Sequence, residues 1–212
     1  MRLHSPTSAS DAGFTISELT VAMTISFIVL LAGYMLLEVV SSSASAVQAR
    51  GTAAEETRLA LERIGRELRQ AEEVGGSAFY TWGARDLSFY SDVDRDDAPE
   101  RVRYYVSGTR LLRSVAEPTE LPPRGASSYG PEVVTNPALV NGLNSDWTGP
   151  VFTYWAASTA TGIKVAATTA AQICAVDARL YNGARDGRQT AYVDSTTEIR
   201  IRSVNSSLET LP

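Results

Sequence analysis

Residues 19–40 contain no Lys, Arg or Pro, only scattered Thr, Ser and Gly and the acid Glu38 among otherwise apolar side chains. About 20 apolar residues rising 1.5 Å each match the hydrocarbon core of a bilayer, so this run predicts a membrane helix. A second acid, Glu18, stands at its start. An ionised acid in such a helix costs roughly 2.5–3.5 kcal/mol on insertion scales, and it marks a function or a partner. A cut after Gly13 would give Phe14 a free α-amine at the head of the helix. A neighbouring copy displaced along the axis could then set its amine beside Glu18, so that each charge neutralises the other between chains.

Residues 1–13 are polar and small, with Arg2 as the one firm positive charge and Asp11 near the junction. An ordinary signal peptide loses its apolar region because the cut follows it; here the cut would precede the apolar region, and the helix would stay in the mature chain. The only histidine, His4, would leave with residues 1–13. Ser-His-Asp and Cys-His nucleophilic sites and His-based zinc sites are then unavailable, and no phosphate-cradling glycine motif is present. Acids are scattered through the rest of the chain, but no spacing singles out a catalytic pair. The expectation is a protein that is not an enzyme and carries no cofactor. A net charge of −5 and a pI near 5.0 give no reason to expect a specific nucleic-acid surface. The single Cys174 excludes an intrachain disulfide, and its apolar neighbours predict a small buried side chain.

Beyond the apolar run, residues 41–46 are Ser and Ala, either a flexible spacer or a slender part of the same helix. Val47, Ala54, Leu61 and Leu68, with Thr57, Ile64 and Ala71, recur every seven residues among charges, which predicts an amphipathic helix. Arg58 with Glu62, Glu62 with Arg66 and Arg63 with Glu67 are four-residue steps that read as a solvated face. Gly75 and Gly76 mark the helix end. With a helical spacer, residues 14–73 would form one rod of about 90 Å at 1.5 Å per residue. From residue 77 to 212 the pattern changes to short alternating runs parted by Gly, Pro, Asp and Ser. Residues 87–90, 101–106 and 110–115 predict a three-strand meander; 151–155, 173–181 and 197–202 predict further strands. Pro118, Pro122, Pro123 and Pro131 make residues 116–131 a surface loop. The division expected is a leader (1–13), a membrane and amphipathic helix (14–74) and a β-rich head (77–212), an α+β chain.

One stretch of the head resembles a metal loop. Asp92, Asp94 and Asp96 alternate as in the first half of an acidic calcium loop. Asp97 stands where the turn glycine belongs and Arg103 where the closing Glu belongs, so the full signature fails and a solvated hairpin loop is expected, with no metal. Asn205 begins a sequon too common to support a glycan. Trp82, Trp147 and Trp155 are read as core aromatics before they are read as a binding patch.

The junction of residues 13–19, Gly-Phe-Thr-Ile-Ser-Glu-Leu, resembles the class III leader junction of type IV prepilins. That resemblance implies a pilin-like fold, cleavage after Gly13 by a prepilin peptidase, N-methylation of Phe14 by the same enzyme, and an inter-subunit role for Glu18. Residues 58–71, 87–94, 100–106, 110–113, 150–154 and 199–203 look similar to the helix end and head strands of J- or W-type minor pilins and pseudopilins. Two departures are Gly33 in place of a helix irregularity built on Pro and the lack of a disulfide loop; the latter favours a minor subunit. The resemblance implies a structural subunit of a type IV pilus or type II secretion pseudopilus. It would be anchored in the cytoplasmic membrane with its head outside and then extracted into a periplasmic or extracellular filament by an assembly platform and ATPase. Glu18 argues against the extreme tip, whose subunit commonly lacks this acid, and favours a tip or initiation complex just below it. The alternative is a signal-anchored ligand-binding or adhesion protein that does not polymerise, with loops 116–131 and 141–149 as its receptor surface.

Overall fold

The computed structural model describes residues 13, 15–157, 164–186 and 189–201. One long helix, α1 (Ile16–Arg69), precedes antiparallel β-sheets, which makes the chain α+β as its patterning predicts. It divides into two compact units, Met1–Ser45 and Ala46–Pro212.

In the first unit α1 is apolar all round and no described residue covers it. Val21, Ile25, Phe27, Leu30 and Leu37 are all more than half exposed. A helix of that kind needs a non-aqueous surround. This segment is long and apolar enough to cross a membrane. Two of its hydroxyls are satisfied within the helix: Thr20 Oγ1 donates to the Ser17 carbonyl at 2.9 Å and Thr24 Oγ1 to the Thr20 carbonyl at 2.8 Å. In hydrocarbon, where water is not present to bond them, that internal pairing is what makes hydroxyls tolerable. The serine stretch is helical and not a flexible spacer, and Ser42 and Ser43 turn their hydroxyls back onto the Val39 carbonyl at 3.0 and 2.8 Å.

In the second unit the remainder of α1 buries Ala53, Thr57, Ala60, Leu61, Ile64 and Leu68. The buried positions follow the 3.6-residue period; Val47 and Ala54, which a strict seven-residue repeat would include, are exposed. A straight α-helix drifts about 20° per heptad, enough to rotate the N-terminal members of such a repeat off the packed face. The helix stops at Arg69, short of the expected end near residue 73. Ala71 bridges to Ser91, the Glu72 N–H donates to the Tyr90 carbonyl at 2.8 Å, and Val74 bridges to Ser77. Gly75 and Gly76, at φ +65° and +91°, form the turn between Val74 and Ser77 and do not cap the helix.

The sheets comprise β1 (Phe79–Trp82), β2 (Asp86–Ser91), β3 (Glu100–Ser107), β4 (Arg110–Ala116), β5 (Val133–Val140), β6 (Phe152–Ala157), β7 (Lys164–Ala166), β8 (Ile173–Asp186) and β9 (Gln189–Arg200). Strands β1 to β5 form a five-stranded sheet in sequence order, and the second sheet is ordered β7-β6-β8-β9. The expected meander is the β2-β3-β4 centre of the first sheet. Helix and sheets share one core, in which Ile64 and Leu68 of α1 cluster with Phe89, Tyr104, Phe152 and Ile199. Strand β5 holds Pro137 at a sheet edge and beside a register shift, the position where a residue with no N–H is tolerated.

Candidate functional site

The junction region is built on the first turn of α1. Thr15 and Glu18 form a reciprocal cap. The Thr15 N–H and hydroxyl donate to Glu18 Oε2 at 3.0 and 2.9 Å, while the Glu18 N–H donates to Thr15 Oγ1 at 3.3 Å. This is the Thr-x-x-Glu capping box, which satisfies two of the orphan donors at a helix start. The sequence carries the signal openly, although the acid attracts attention first as a misplaced charge. The cap turns the exposed carboxylate back toward the helix N-terminus, where the helix dipole favours negative charge. A cation set at that end would meet an oriented acceptor. Gly13 is exposed. Phe14, residues 1–12 and the Asn205 sequon lie outside the described residues.

A second cluster of charge lies where a solvated face was expected. Arg58 does pair with Glu55 and Glu62 in the open, where such contacts are worth tenths of a kcal/mol. Glu67, by contrast, is 5% exposed. Its Oε2 accepts from Tyr104 Oη at 2.5 Å and from Arg113 Nε at 3.0 Å, and its Oε1 from Arg63 Nε at 3.0 Å. Arg113 passes the network to Thr135 at 3.1 Å. Helix α1 is thereby tied to β3, β4 and β5. Burial first, then the adjacent Glu67 carboxylate, pushes the Tyr104 phenol well above its usual range, so it stays a donor. Glu67 touches no open surface, and its role is to hold the helix against the sheet.

The acidic turn between β2 and β3 brings Asp92, Asp94 and Asp96 together, as their alternation suggests, and adds Glu100, which local spacing does not single out. One carboxylate oxygen from each of the four lies within 4.8 Å of the others. The loop folds around its own acids: Asp92 accepts the Arg95 N–H at 2.6 Å, Asp94 the Asp96 N–H at 3.2 Å, and Asp96 the Ala98 N–H at 3.0 Å. Asp97 adopts φ +66°, so it takes the left-handed conformation that a glycine would supply at that place. Glu100, not residue 103, is the fourth acid, because pairing of Ser91 with Glu100 makes it the first residue of β3 with its side chain inward. Arg103 is turned away from the turn, where it grips Asp86 and Glu132. Burial pushes the Glu100 carboxyl up to about 7, the Asp94 and Glu117 charges adding to it and the Val93 N–H opposing.

The two loops considered as a receptor surface are pinned at several points. In residues 116–131 the Thr119 N–H donates to the Ser128 carbonyl at 2.7 Å, and Tyr129 Oη to the Pro99 carbonyl at 2.8 Å. In residues 141–149 the Leu143 N–H donates to the Thr109 carbonyl and the Asn144 N–H to the Tyr181 carbonyl, both at 2.9 Å. None of the three tryptophans is fully buried. Trp147 lies beside Tyr181, and Trp155 Nε1 donates to Asp177 at 2.7 Å. The buried aromatics among the described residues are Phe79, Phe89, Tyr90, Tyr104, Phe152 and Tyr154, and Trp82 and Trp147 pack partly buried against that core as expected of core aromatics. Cys174 is half-buried rather than buried, with Sγ 3.3 Å from the Trp155 carbonyl oxygen, because it lies on the outer face of β8 between buried Ile173 and Ala175.

No protein-family model matches the chain, and no curated protein matches it.

Proposed function

We propose that this chain is a minor pilin or pseudopilin, a structural subunit of a type IV pilus or type II secretion pseudopilus, placed in the tip or initiation complex. The observation that carries the reading is the start of α1. A junction of Gly13 and Phe14 stands immediately before a helix whose apolar side chains are exposed all round, and Glu18 in its first turn faces the helix start. Before assembly that apolar surface is covered by lipid, with the β-rich head outside the cytoplasmic membrane. Prepilin peptidase removes residues 1–13 and methylates Phe14. The assembly platform and ATPase then transfer the helix from lipid into a bundle of like helices, where close packing replaces lipid contact. The carboxylate already points where a neighbouring subunit's α-amine would arrive, so the ion pair offsets the buried acid and sets the axial register.

Glu18→Ala tests this reading. Removing one member of a buried charge pair costs about 2 kcal/mol or more, which corresponds to roughly thirtyfold weaker incorporation into filaments. Membrane insertion and folding of the head should be unchanged. Filament incorporation equal to the parent protein's would remove the role assigned to Glu18.

A further inference from the structure

The turn between β2 and β3 carries more oxygen ligands than its own fold uses. Glu100 is fully buried, yet only its Oε2 has a hydrogen-bond partner, the Val93 N–H at 2.7 Å. Val93 belongs to the acidic turn, so the carboxylate faces into it; Oε1 is buried with no partner among the described residues. A buried carboxylate oxygen left without a donor is costly, and it persists where a ligand supplies what the protein does not. No Lys or Arg among the described residues forms an ion pair with Asp92, Asp94, Asp96 or Glu100. Four carboxylates therefore converge with no cation from the described residues to balance them.

We propose that this turn is a calcium site formed by Asp92, Asp94, Asp96 and Glu100. The donors are all hard carboxylate oxygens, with no imidazole or thiolate, which selects against zinc and copper and for calcium or magnesium. Magnesium demands near-ideal octahedral geometry at short range and gives up its water reluctantly, whereas calcium accepts six to eight oxygens in a flexible shell. A buried carboxylate on a strand and three carboxylates on a turn suit the second ion. The Oδ atoms already accept backbone N–H bonds within the loop, which fixes the acids in place before the ion arrives. Bound calcium would give Glu100 its missing partner and pin the β2–β3 hairpin at the point where Ser91 Oγ donates to the Glu67 carbonyl at 3.1 Å. The site does not depend on the filament reading.

The test uses the full chain in detergent micelles, stripped with a chelator and then titrated calorimetrically with CaCl2 or MgCl2, with thermal unfolding followed in parallel. Calcium should bind saturably at one site per chain, in the range of about 10−5 to 10−3 M, and raise the unfolding temperature; magnesium should bind at least about tenfold more weakly. Asp94→Asn combined with Asp96→Asn changes two exposed side chains, leaves the chelated protein folded, and should weaken calcium binding by at least about tenfold. Glu100→Gln, isosteric in the buried position, should do the same. A folded parent protein that shows neither heat nor a thermal shift up to about 10 mM calcium overturns the proposal, that concentration lying beyond the weakest extracellular sites. Equal response to magnesium, or unchanged calcium binding by the Asp94/Asp96 double variant, overturns it as well.

Discussion

The proposed reading gives Glu18 two physical roles that a single alanine substitution does not separate. As the fourth residue of a capping box it satisfies the Thr15 N–H, and as a charge it can meet an amine from another chain. Gln completes a capping box as well as Glu does, but it carries no charge. Glu18→Gln should therefore leave the helix start intact and still reduce filament incorporation as Glu18→Ala does; normal incorporation of the Gln variant would show that the cap is the whole role. Glu67 gives a prediction of another kind. Glu67→Ala would leave the Arg113 guanidinium buried beside a vacated acceptor, and breaking a buried pair costs about 3–5 kcal/mol, read as a lower denaturation midpoint. These two acids are not equally legible. Glu18 stands out because the only other charge in its apolar stretch is Glu38 at the far end, whereas Glu67 sits four residues from Arg63 just as Glu62 sits four from Arg58. What distinguishes Glu67 is Arg113, 46 residues away in sequence, and local spacing holds no information about it.

At the level of elements, the turn after α1 is set by two glycines with different surroundings. A Cβ on Gly75 would lie 2.8 Å from the Arg124 carbonyl oxygen at φ +65°, while at Gly76, φ +91°, it would meet nothing within 4 Å. Gly75→Ala should accordingly lower stability by about 2–3 kcal/mol and Gly76→Ala by about 1–2 kcal/mol, measured by chemical denaturation. Two equal losses would show that the Arg124 contact is absent. The central strands β3, β4, β6 and the start of β8 are legible because side chains alternate along much of them, one face meeting the core, whereas β2 is buried on both faces from Leu87 to Ser91 and is legible only by the apolar-polar step of Leu87, Ser88 and Phe89. Alternation does not reveal β1, β5 and β7, each at a sheet edge. One of these edge strands holds Pro137 and another is exposed along all three of its residues, so the pattern has little to show. The helical state of residues 41–46 is open in the sequence for a similar reason: Ser has weak preference by itself, and its hydroxyl offers the backbone local alternatives to the helix.

For the whole molecule, composition and period are enough to read an α+β chain with an apolar N-terminal helix and a β-rich remainder. The strand order in the two sheets is not readable, since it depends on pairings such as β6 with β8 that cross intervening segments. The acidic turn falls between these cases: three of its four acids lie on an alternating pattern, but Glu100 joins them only through the register of β2 and β3. The helix is long and apolar enough to cross a membrane and carries an acid at its start, and the proposed reading gives both a partner outside the chain. The proposed assembly into a filament requires that residues 1–13 be removed while the helix is kept. Intact-mass and N-terminal analysis of the protein from its native cells measures this directly. The result expected is a chain that begins at N-methylated Phe14; a mature chain that still carries residues 1–13 would contradict the pilin reading.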